Sequence, residues 1–499
     1  MTDGLILQIV VPLMSAPLCV LLRNGVAAAA VSLLVAVYAF ANGIVLLQTV
    51  QEHGTISYLV GGIAIPYGIE YRLDALNAFV LVVVAGVNLA ATVYAAVVAR
   101  HELVTARRDL FFACWQLCVT GIMGIAVTGD VFNVFVFLEI ASLSGYVLVA
   151  HGGERRCLMA SFRYLLMGTL GATFLVIGIG LLYLATGTLN MGDLAQRLPP
   201  VADTRGVRAA FAFVAVGLCL KAAVFPLHLW LPGAYATAPA AVSALLAGTA
   251  TKVALYLWVR FFFTIFAPSA SFSSLHFDQL LLGLGLVGAL AGSLAAVFQD
   301  EPKRVLAWSS IGQVGYMVAG LSLASTTGLT AMVSHLANHA VVKAGLFLAL
   351  GAVVLQLGAT RRTLRLADLR GLGKAMPWTA AAITIGGFGL IGMPLTCGFV
   401  GKWLLVEAML ERGMGWAIAV VLLSSLLAVV YVWRLVEAMY FQAPADDAPA
   451  ATGAVPKLAF APLWALVLLG LVFGVWTDFN VGFAGDAVRS LLSTVGGPR

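Results

Sequence analysis

The sequence predicts an all-helical protein that crosses a membrane many times, and three observations support this fold class. Of the 499 residues, 62% are apolar and 10% are charged, whereas soluble domains are about 45–50% apolar and about 25% charged. The mean hydropathy is +1.01. Apolar runs long enough to cross about 30 Å of hydrocarbon recur along the whole chain. So few charges cannot cover a water-soluble surface, and the net charge of +6 therefore indicates basic membrane-flanking loops rather than a nucleic-acid-binding surface.

We predict about fourteen membrane-spanning helices from these runs. They cover 4–22, 26–48, 73–99, 110–128, 130–150, 160–186, 207–227, 239–265, 277–298, 304–323, 327–358, 376–410, 415–441 and 456–478. The N-terminus lacks a basic segment and a small-residue cleavage site, so we expect the first run to be a permanent span rather than a removable signal. The gaps are too short for a separate soluble domain.

The distribution of Lys and Arg predicts the orientation. Loops after odd-numbered spans hold most of these residues, among them Arg107, Arg155 and Lys303, while loops after even-numbered spans hold fewer, such as Arg197 and Arg412. Because cytoplasmic loops carry the excess of positive charge, we expect both termini on the outer, periplasmic side. We expect the chain to lie in a bacterial inner (plasma) membrane.

Two of the spans are interrupted. One covers 219–239 and contains Pro226, and the other covers 386–403 and combines several glycines with Pro394. A broken helix at membrane depth is tolerated only where the freed backbone faces protein or a water-filled cavity. Two such breaks in corresponding halves of the chain indicate an inverted-repeat transporter. The alternative, two unrelated proline kinks, stays open.

Ionisable residues lie within several predicted spans. Those near mid-span or beside a break are Glu139, Lys221, Lys252, His335, His339, Lys343 and Lys402, with Glu407 a turn or so beyond the last. A charged residue at the bilayer centre costs roughly 2.5–3.5 kcal/mol on insertion scales, so four or more facing lipid would cost on the order of 10 kcal/mol. They are therefore expected to face the protein interior, where most must be paired or hydrated.

These residue types suit proton transfer. A lysine in a low-dielectric interior loses its proton more easily than in water, and a nearby carboxylate reverses this effect. Glu139 and Lys221 are the natural candidates for such a pair. His335, His339 and Lys343 follow one another at four-residue spacing and share a helix face, and histidine passes protons near neutral pH. The alternative, buried histidines that only hydrogen-bond a neighbouring helix, stays open.

Three further residues are weaker candidates. His228 lies in the first break and would be a proton entry group or an ordinary loop histidine. Asp74 and Asp130 stand at the outer ends of two spans. They would form cation or hydrogen-bonding sites, or they would be N-terminal helix carboxylates, which is the more ordinary role. The six scattered cysteines lack ligand partners at metal-site spacing, so we expect no metal site.

Long motifs in a shared order resemble the antiporter-like subunits of respiratory complex I, membrane hydrogenases and Mrp-type cation/proton antiporters. They are FLEIASLSGYVLVA (137–150), the stretch from Lys221 to Phe261, EPKRVLAWSSIGQVGYM (301–317) and HLANHAVVKAGLFL (335–348). Within this superfamily the sequence is most similar to the D-type subunits of Mrp antiporters, because of TGTLNMGDLAQRL (186–198) and because of Lys402, where the nearest complex I relative usually carries Glu. Only about twenty residues follow the last predicted span, so we expect no counterpart of the long lateral helix of the largest complex I relative.

The resemblance implies an architecture of fourteen helices with two inverted five-helix repeats, spans 4–8 and 9–13, each with a broken helix. Residues 1–104 would hold three N-terminal helices, 105–410 the proton-conducting core, and 411–499 the last two helices and a short tail. Glu139 would be the fifth-span carboxylate and Lys221 its seventh-span partner. The remaining family positions would be Lys252 as the central lysine, His335 and His339 as the eleventh-span relay, and Lys402 as the terminal group.

Three functions are consistent with these residues. The first is a membrane subunit of a multisubunit Na⁺ or K⁺/proton antiporter, a secondary transporter rather than an enzyme, with other membrane subunits as partners. The second is a proton-pumping subunit of a complex I-type oxidoreductase or a membrane-bound hydrogenase. The third is a structural scaffold with an idle interior. The resemblance implies no flavin, iron–sulfur cluster or haem, in agreement with a sequence that has no Gly-rich phosphate loop, so we expect no cofactor.

Overall fold

A computed structural model of the chain describes residues 3–103, 107–152, 154–267, 276–358, 363–444 and 455–495. The α-helices are α1 (Asp3–Leu22), α2 (Gly25–His53), α3 (Ala75–Glu102), α4 (Arg108–Val127), α5 (Val131–Ala150), α6 (Arg155–Thr186), α7 (Met191–Arg197), α8 (Arg205–Ala222), α9 (Trp230–Thr237), α10 (Ala240–Val259), α11 (Phe277–Val297), α12 (Pro302–Ser322), α13 (Thr326–Gln356), α14 (Leu372–Ala375), α15 (Pro377–Ile391), α16 (Cys397–Glu411), α17 (Gly415–Tyr440), α18 (Lys457–Val475) and α19 (Phe483–Val495). Two strands, β1 (Ile56–Leu59) and β2 (Glu70–Leu73), form a hairpin. The predicted boundary between 104 and 105 lies outside the described residues.

The helices confirm the predicted fold class. Within the described ranges, eleven helices are long and apolar enough to cross a membrane. The three other predicted spans correspond to α8, to α12 and to the pair α15 and α16. α8 and α12 contain charged and polar residues that lower their hydropathy, whereas α15 and α16 have 15 residues each and are individually too short to cross a membrane.

Short-range sequence signals set many helix ends. Asn24 caps α2 by accepting hydrogen bonds from the backbone N–H groups of Val26 and Ala27. Ser325 caps α13 in the same way, since short polar side chains satisfy the first free N–H groups of a helix. Gly187 ends α6 in the left-handed conformation, with φ of 74°, which glycine adopts without steric cost.

Two helices form the centre of the bundle. In the most apolar 18-residue window, 100% of α13 and 94% of the span that begins with α10 are buried, compared with 33% of α17. A helix surrounded by protein can carry ionisable side chains without exposing them to lipid. The central pair therefore offers the most completely enclosed positions for buried charges.

In each half of the chain, glycine residues allow two neighbouring helices to pack closely. A Cβ atom at Gly121 of α4 would lie 2.5 Å from the backbone nitrogen of Ala141 on α5. A Cβ atom at Gly292 of α11 would lie 2.4 Å from the backbone nitrogen of Gly312 on α12. Side chains at these positions would push the helices apart, as expected for small-residue interfaces in membranes. The two pairs occupy equivalent places in the predicted repeats.

The bundle has two distinct ends. At one end, the hairpin pairs Ile56 with Leu73, and Tyr71 forms a β-bridge to Thr128 in the α4–α5 connection. We call this the hairpin end. At the other end, Arg156 pairs with Glu301 at 2.8 Å. The sequence did not indicate the hairpin, which lies inside a polar stretch.

Candidate functional site

The first interrupted span holds an ion pair. α8 stops at Ala222 because Ala223 takes the left-handed conformation, with φ of 54°, and Pro226 follows without an N–H to continue the helix. On the last turn before this break, the Lys221 ammonium donates to Oε1 of Glu139 at 3.3 Å and to Oγ of Ser142 at 3.0 Å. The structure thus brings together the two residues proposed as partners.

The pair lies at the margin of the interior. The Lys221 side chain is 7% exposed and that of Glu139 is 23% exposed. One carboxylate oxygen, Oε1, accepts the hydrogen bond from the Lys221 ammonium. Glu139 can therefore exchange protons through its exposed surface, while its other surface contacts the buried Lys221 ammonium.

A row of aromatic contacts leads from α5 to the central helix α10. The rings of Tyr146 and Tyr164 are 4.5 Å apart, and Tyr164 stacks on Trp230 at 4.3 Å. Trp230 meets Tyr235 edge-on at 6.2 Å, and the Tyr235 hydroxyl donates to the Leu246 carbonyl at 3.0 Å. The row connects the helices of the ion pair to the helix of the next lysine.

Lys252 is a fully buried cation. Its ammonium donates to the Ala247 carbonyl at 2.5 Å and to the Thr251 hydroxyl at 3.3 Å, and the residue has no exposed surface. In the part of the chain that the structure describes, no carboxylate pairs with it. Its charge is balanced only by dipoles, an arrangement that favours a lysine able to gain and lose its proton.

The predicted relay lies where α13 packs against α10. A Cβ atom at Gly248 would lie 3.3 Å from the carbonyl oxygen of Ala340, so His339 and Lys252, each within about a turn of this contact, lie on neighbouring helix segments. The imidazoles of His335 and His339 lie parallel with centroids 6.2 Å apart. Both ring nitrogens of His339 lack a hydrogen-bond partner among the described protein groups. Unpaired polar atoms are rare in buried positions, and these two are free to accept or donate a proton.

Hydrogen bonds connect His335 to the second break. Nε2 of His335 is 2.7 Å from Oε1 of Gln313, and the Gln313 amide donates to the Leu390 carbonyl at 3.3 Å. The Lys402 ammonium donates to the same carbonyl at 3.0 Å and to the Ile391 carbonyl at 2.8 Å. The helix α15 ends here at Gly392, with φ of 84°, which leaves these carbonyls free for the lysine.

The neighbours of Lys402 are neutral. Its ammonium also donates to the Ser425 hydroxyl at 3.1 Å and lies 4.9 Å from the centre of the Tyr316 ring. Carbonyl oxygens at a helix C-terminus carry partial negative charge, and an aromatic face attracts a cation. Lys402 is therefore stabilised without a formal negative charge from the described residues.

Lys343 and His228 are both buried but differ in their contacts. Lys343 donates to the Leu306 carbonyl at 2.7 Å and to the Ser309 hydroxyl at 2.5 Å on α12. His228 is 4% exposed, stacks on Phe225 and meets Trp308 edge-on at 5.2 Å. It is thus a buried residue of the first break and not a solvated loop histidine.

The prediction that Glu407 faces the interior with Lys402 is wrong. Glu407 is exposed, whereas Lys402 is buried. Five residues along an α-helix turn the side chain by about 140° away from the starting face. Glu407 therefore points away from the interior cluster.

Asp74 and Asp130 are helix caps. Asp74 accepts from the backbone N–H groups of Leu76 and Asn77, and Asp130 accepts from that of Asn133. Asp74 also pairs with Arg260 at 2.5 Å. Burial raises the pKa of Asp74, but the Arg260 guanidinium and the backbone N–H groups more than offset this, so its pKa is below the ordinary value.

Sequence reasoning missed the neutral members of the cluster. Gln313 and Ser309 lie on α12 and contact His335 and Lys343, respectively. Asn338 donates to the Cys397 carbonyl at 2.9 Å, at the start of α16. A search for charged residues passes over them. The signal that could have found them is the run of polar residues at 309–313 within a predicted span.

Comparisons with known proteins agree on one family. Residues 128–428 match the family model described as NADH:quinone oxidoreductase/Mrp antiporter, TM. The chain is 39% identical to the N subunit of the NADH-quinone oxidoreductase of Desulforudis audaxviator, over 98% of both chains. It is 28% identical to the D subunit of the Na⁺/H⁺ antiporter of Bacillus subtilis, over 99% of this chain and 98% of that one. Its fold is similar to a chain of the Mrp complex from Dietzia sp. DQ12-45-1b, with a TM-score of 0.88, 28% identity and coverage of 99% and 98%. The predicted resemblance to these subunits is thereby confirmed.

Proposed function

Since this chain belongs to the NADH:quinone oxidoreductase/Mrp antiporter family of membrane subunits, we propose that it is a membrane subunit of a multisubunit monovalent cation/proton antiporter. Its part is to conduct protons along the buried row of Glu, Lys and His residues. The observation that carries the proposal is the connected cluster of Lys252, His335, His339 and Lys402, all buried and held largely by neutral groups. Full-length similarity to the D subunit of a Na⁺/H⁺ antiporter supports the coupled cation.

The proton path begins at Glu139. A proton that reaches this carboxylate weakens its attraction for Lys221, because a neutral acid no longer balances the ammonium. Lys221 then releases its proton toward the interior, where the Tyr146 and Tyr235 hydroxyls can relay it through bridging waters; the Trp230 ring between them is a donor only and does not relay it. The proton on Glu139 then passes to the neutral Lys221 amine, which restores the charged pair and its 3.3 Å contact. The pair therefore acts as a switch rather than as a fixed ion pair.

The central step is a transfer among like charges. Protonated Lys252, His339 and Lys343 repel one another in a medium of low dielectric, so one proton displaces the next. The 6.2 Å between the two imidazole centroids exceeds direct hydrogen-bond reach. A single bridging water is enough for such a transfer. Gln313 and the Leu390 carbonyl then orient His335 towards Lys402.

Partners and orientation are part of the proposal. The similar Mrp chain is part of a larger complex, and we expect this chain to function beside other membrane subunits in the bacterial inner membrane. Both termini would lie outside, with the hairpin end facing the same side. Residues 105–410 would form the conducting core. Cysteine accessibility at the two ends of the bundle in intact cells tests the orientation.

Transport in vesicles tests the function. Glu139→Gln or Lys221→Ala should abolish Na⁺- or K⁺-dependent dissipation of a pH gradient, while the complex still assembles. Glu407→Gln and Lys374→Ala are matched controls, since both side chains are exposed and off the path. Undiminished antiport in the first two variants would reject the proton path.

A second function has specific support. The 39% identity to the N subunit of an NADH-quinone oxidoreductase favours a proton-pumping subunit of a redox complex, in which electron transfer elsewhere drives the same path. Identification of the subunits that co-purify with the chain separates the two functions. Small cation-antiporter subunits support the first, and quinone-reducing or hydrogenase subunits support the second.

A further inference from the structure

A cavity of about 1000 Å³ opens between α6, α9 and α12. It lies at the end opposite the hairpin. α6 begins beside the cavity at Arg155 and ends at Thr186, close to Asn190, which forms a β-bridge to Asp130 at the hairpin end. The cavity therefore faces the end of the bundle at which the predicted basic loops lie.

Positive charge dominates the mouth of the cavity. Four arginines line it, together with one carboxylate, and these residues are Arg155, Arg156, Arg163, Arg304 and Glu301. Arg156 pairs with Glu301 at 2.8 Å. Among the described residues, no carboxylate forms an ion pair with the other three arginines, whose side chains are exposed. Three guanidinium groups thus line one cavity without a carboxylate partner among the described residues.

The deeper wall is apolar. It is formed by Met159, Leu166, Met167, Leu229 and Trp308. Leu166 is 49% exposed and Leu229 is 69% exposed. Leu166 follows Arg155 by eleven positions, which is about 16 Å along a helix. Along α6 the lining therefore begins with Arg155 at the mouth, includes Arg163 about 12 Å further in, and ends in the apolar side chains of Leu166 and Met167.

We propose that this cavity binds an anionic phospholipid. Arg155, Arg163 and Arg304 would hold the phosphate of the headgroup, since guanidinium groups bind phosphate oxygens in pairs. An acyl chain would follow Leu166 and Leu229. Basic pockets between membrane helices suit anionic headgroups. A free phosphate would leave the apolar wall unused, and a helix of a neighbouring subunit would leave the three arginines without an anion unless it supplied carboxylates.

Occupation of the cavity would act on the first break. Trp230 lines the cavity, and its indole N–H donates to the Leu220 carbonyl at 2.9 Å, one residue before Lys221. A lipid packed against α9 would therefore hold the end of α8 in place. This regulatory effect depends on the proposed function, whereas the binding itself does not.

Photo-labelling of the assembled complex tests the site. The probes are phosphatidylglycerol and phosphatidylcholine with the same photoactivatable acyl chain, applied to the purified complex in detergent. We expect phosphatidylglycerol to label the segments around Met159 and Leu229 and phosphatidylcholine to label them weakly. A basic residue near a membrane surface contributes about fivefold to lipid affinity, so Arg155→Gln, Arg163→Gln and Arg304→Gln together should weaken labelling about 100-fold.

The control variants separate binding from folding and from transport. Arg108→Gln, at the same end but outside the cavity, should label like the wild type. Replacement of the three arginines by lysine should retain most of the labelling, and elution of each variant as an intact complex verifies its folding. Glu139→Gln should lose antiport and keep its labelling, so failure of either proposal is visible separately. Equal labelling by both lipids, undiminished labelling of the triple glutamine variant, or crosslinks from a photoreactive residue at Met159 to another subunit would overturn the lipid site.

Discussion

The two interrupted spans place a lysine beside a break, but in different electrostatic surroundings. In the first half, Lys221 faces the Glu139 carboxylate at 3.3 Å. In the second half, Lys402 faces the carbonyls of Leu390 and Ile391 and the ring of Tyr316, and among the described residues no carboxylate pairs with it. A broken helix thus positions a lysine in each half. Lys221 has a formal counter-ion, whereas Lys402 is held by the dipoles of neutral groups.

This difference indicates different tasks. When Lys221 loses its proton, it leaves behind a partly buried carboxylate without a cation, which is costly. The two groups are therefore coupled and change state together. When Lys402 loses its proton, only neutral groups remain, so the site empties and refills without a partner. The first break therefore suits a pair of groups that change protonation state together, and the second suits a single terminal lysine that takes up and releases a proton by itself.

In the second half of the molecule, the largest expected effect comes from removing the terminal lysine. Lys402→Met should reduce antiport at least about 100-fold, because a proton-transfer group typically contributes that much or more. Gradient dissipation in vesicles measures the rate. The exposed Lys374→Met is the matched control and should behave as wild type. Substantial transport by the Lys402 variant would mean that protons leave the cluster elsewhere.

A double-mutant cycle compares the two lysines directly. We expect a coupling energy of about 2 kcal/mol for Glu139→Gln with Lys221→Met, from a charge-assisted hydrogen bond of a partly buried pair. For Tyr316→Leu with Lys402→Met we expect about 1 kcal/mol, from a cation–π contact. Shifts of the unfolding midpoint of the purified complex, compared between single and double variants, show which pair is more strongly coupled. Equal coupling in the two pairs would mean that Lys221 and Lys402 do not differ in their dependence on a partner.

The sequence predicted the breaks and most of the buried charges because both are local features. Pro226, and the glycines near Pro394, disrupt helices wherever they stand, and a charge within a long apolar run must face protein. The span limits followed from run length, as for 277–298 and α11 (Phe277–Val297). The partner of Glu139 is a different case, because the sequence offers several buried cations. Only the fold shows that Lys221, 82 residues away, is the one that contacts it.

The remaining features depend on three-dimensional neighbours. The hairpin has a largely polar sequence with no strong strand signal. It depends on a contact between β2 and Thr128, which lies far along the chain and cannot be anticipated from local sequence. Glu407 was assigned by closeness in sequence to Lys402, although helical phase turns it to another face. Gln313 is neutral and becomes important only because His335 and Leu390 lie on either side of it.

Breaking the link between relay and terminal lysine should have a moderate effect. Gln313→Leu removes the hydrogen bonds to His335 and to the Leu390 carbonyl, and leaves two buried polar groups with fewer partners. We expect about tenfold slower antiport and a loss of stability of about 1–2 kcal/mol. Gln313→Glu keeps an acceptor for His335 and should preserve more activity than the leucine variant. Equal rates for both would show that Gln313 acts by packing alone.

The smallest effect on antiport concerns an ion pair outside the path, Asp74 with Arg260, and it tests whether location rather than pairing makes Glu139–Lys221 functional. Asp74→Asn keeps an N-cap side chain but leaves the buried Arg260 guanidinium without its carboxylate, so we expect a loss of stability of about 3 kcal/mol with unchanged antiport. Because the pKa of Asp74 is lowered in the folded protein, its contribution is complete above the unfolded value of about 3.9 and is lost as the pH falls through the lower folded value. The stability difference between wild type and variant should thus be constant from pH 5 to about pH 8 and shrink only below about pH 4. A difference that changes between pH 6 and pH 8, or a loss of antiport in this variant, would mean that charge pairs at the hairpin end also take part in transport.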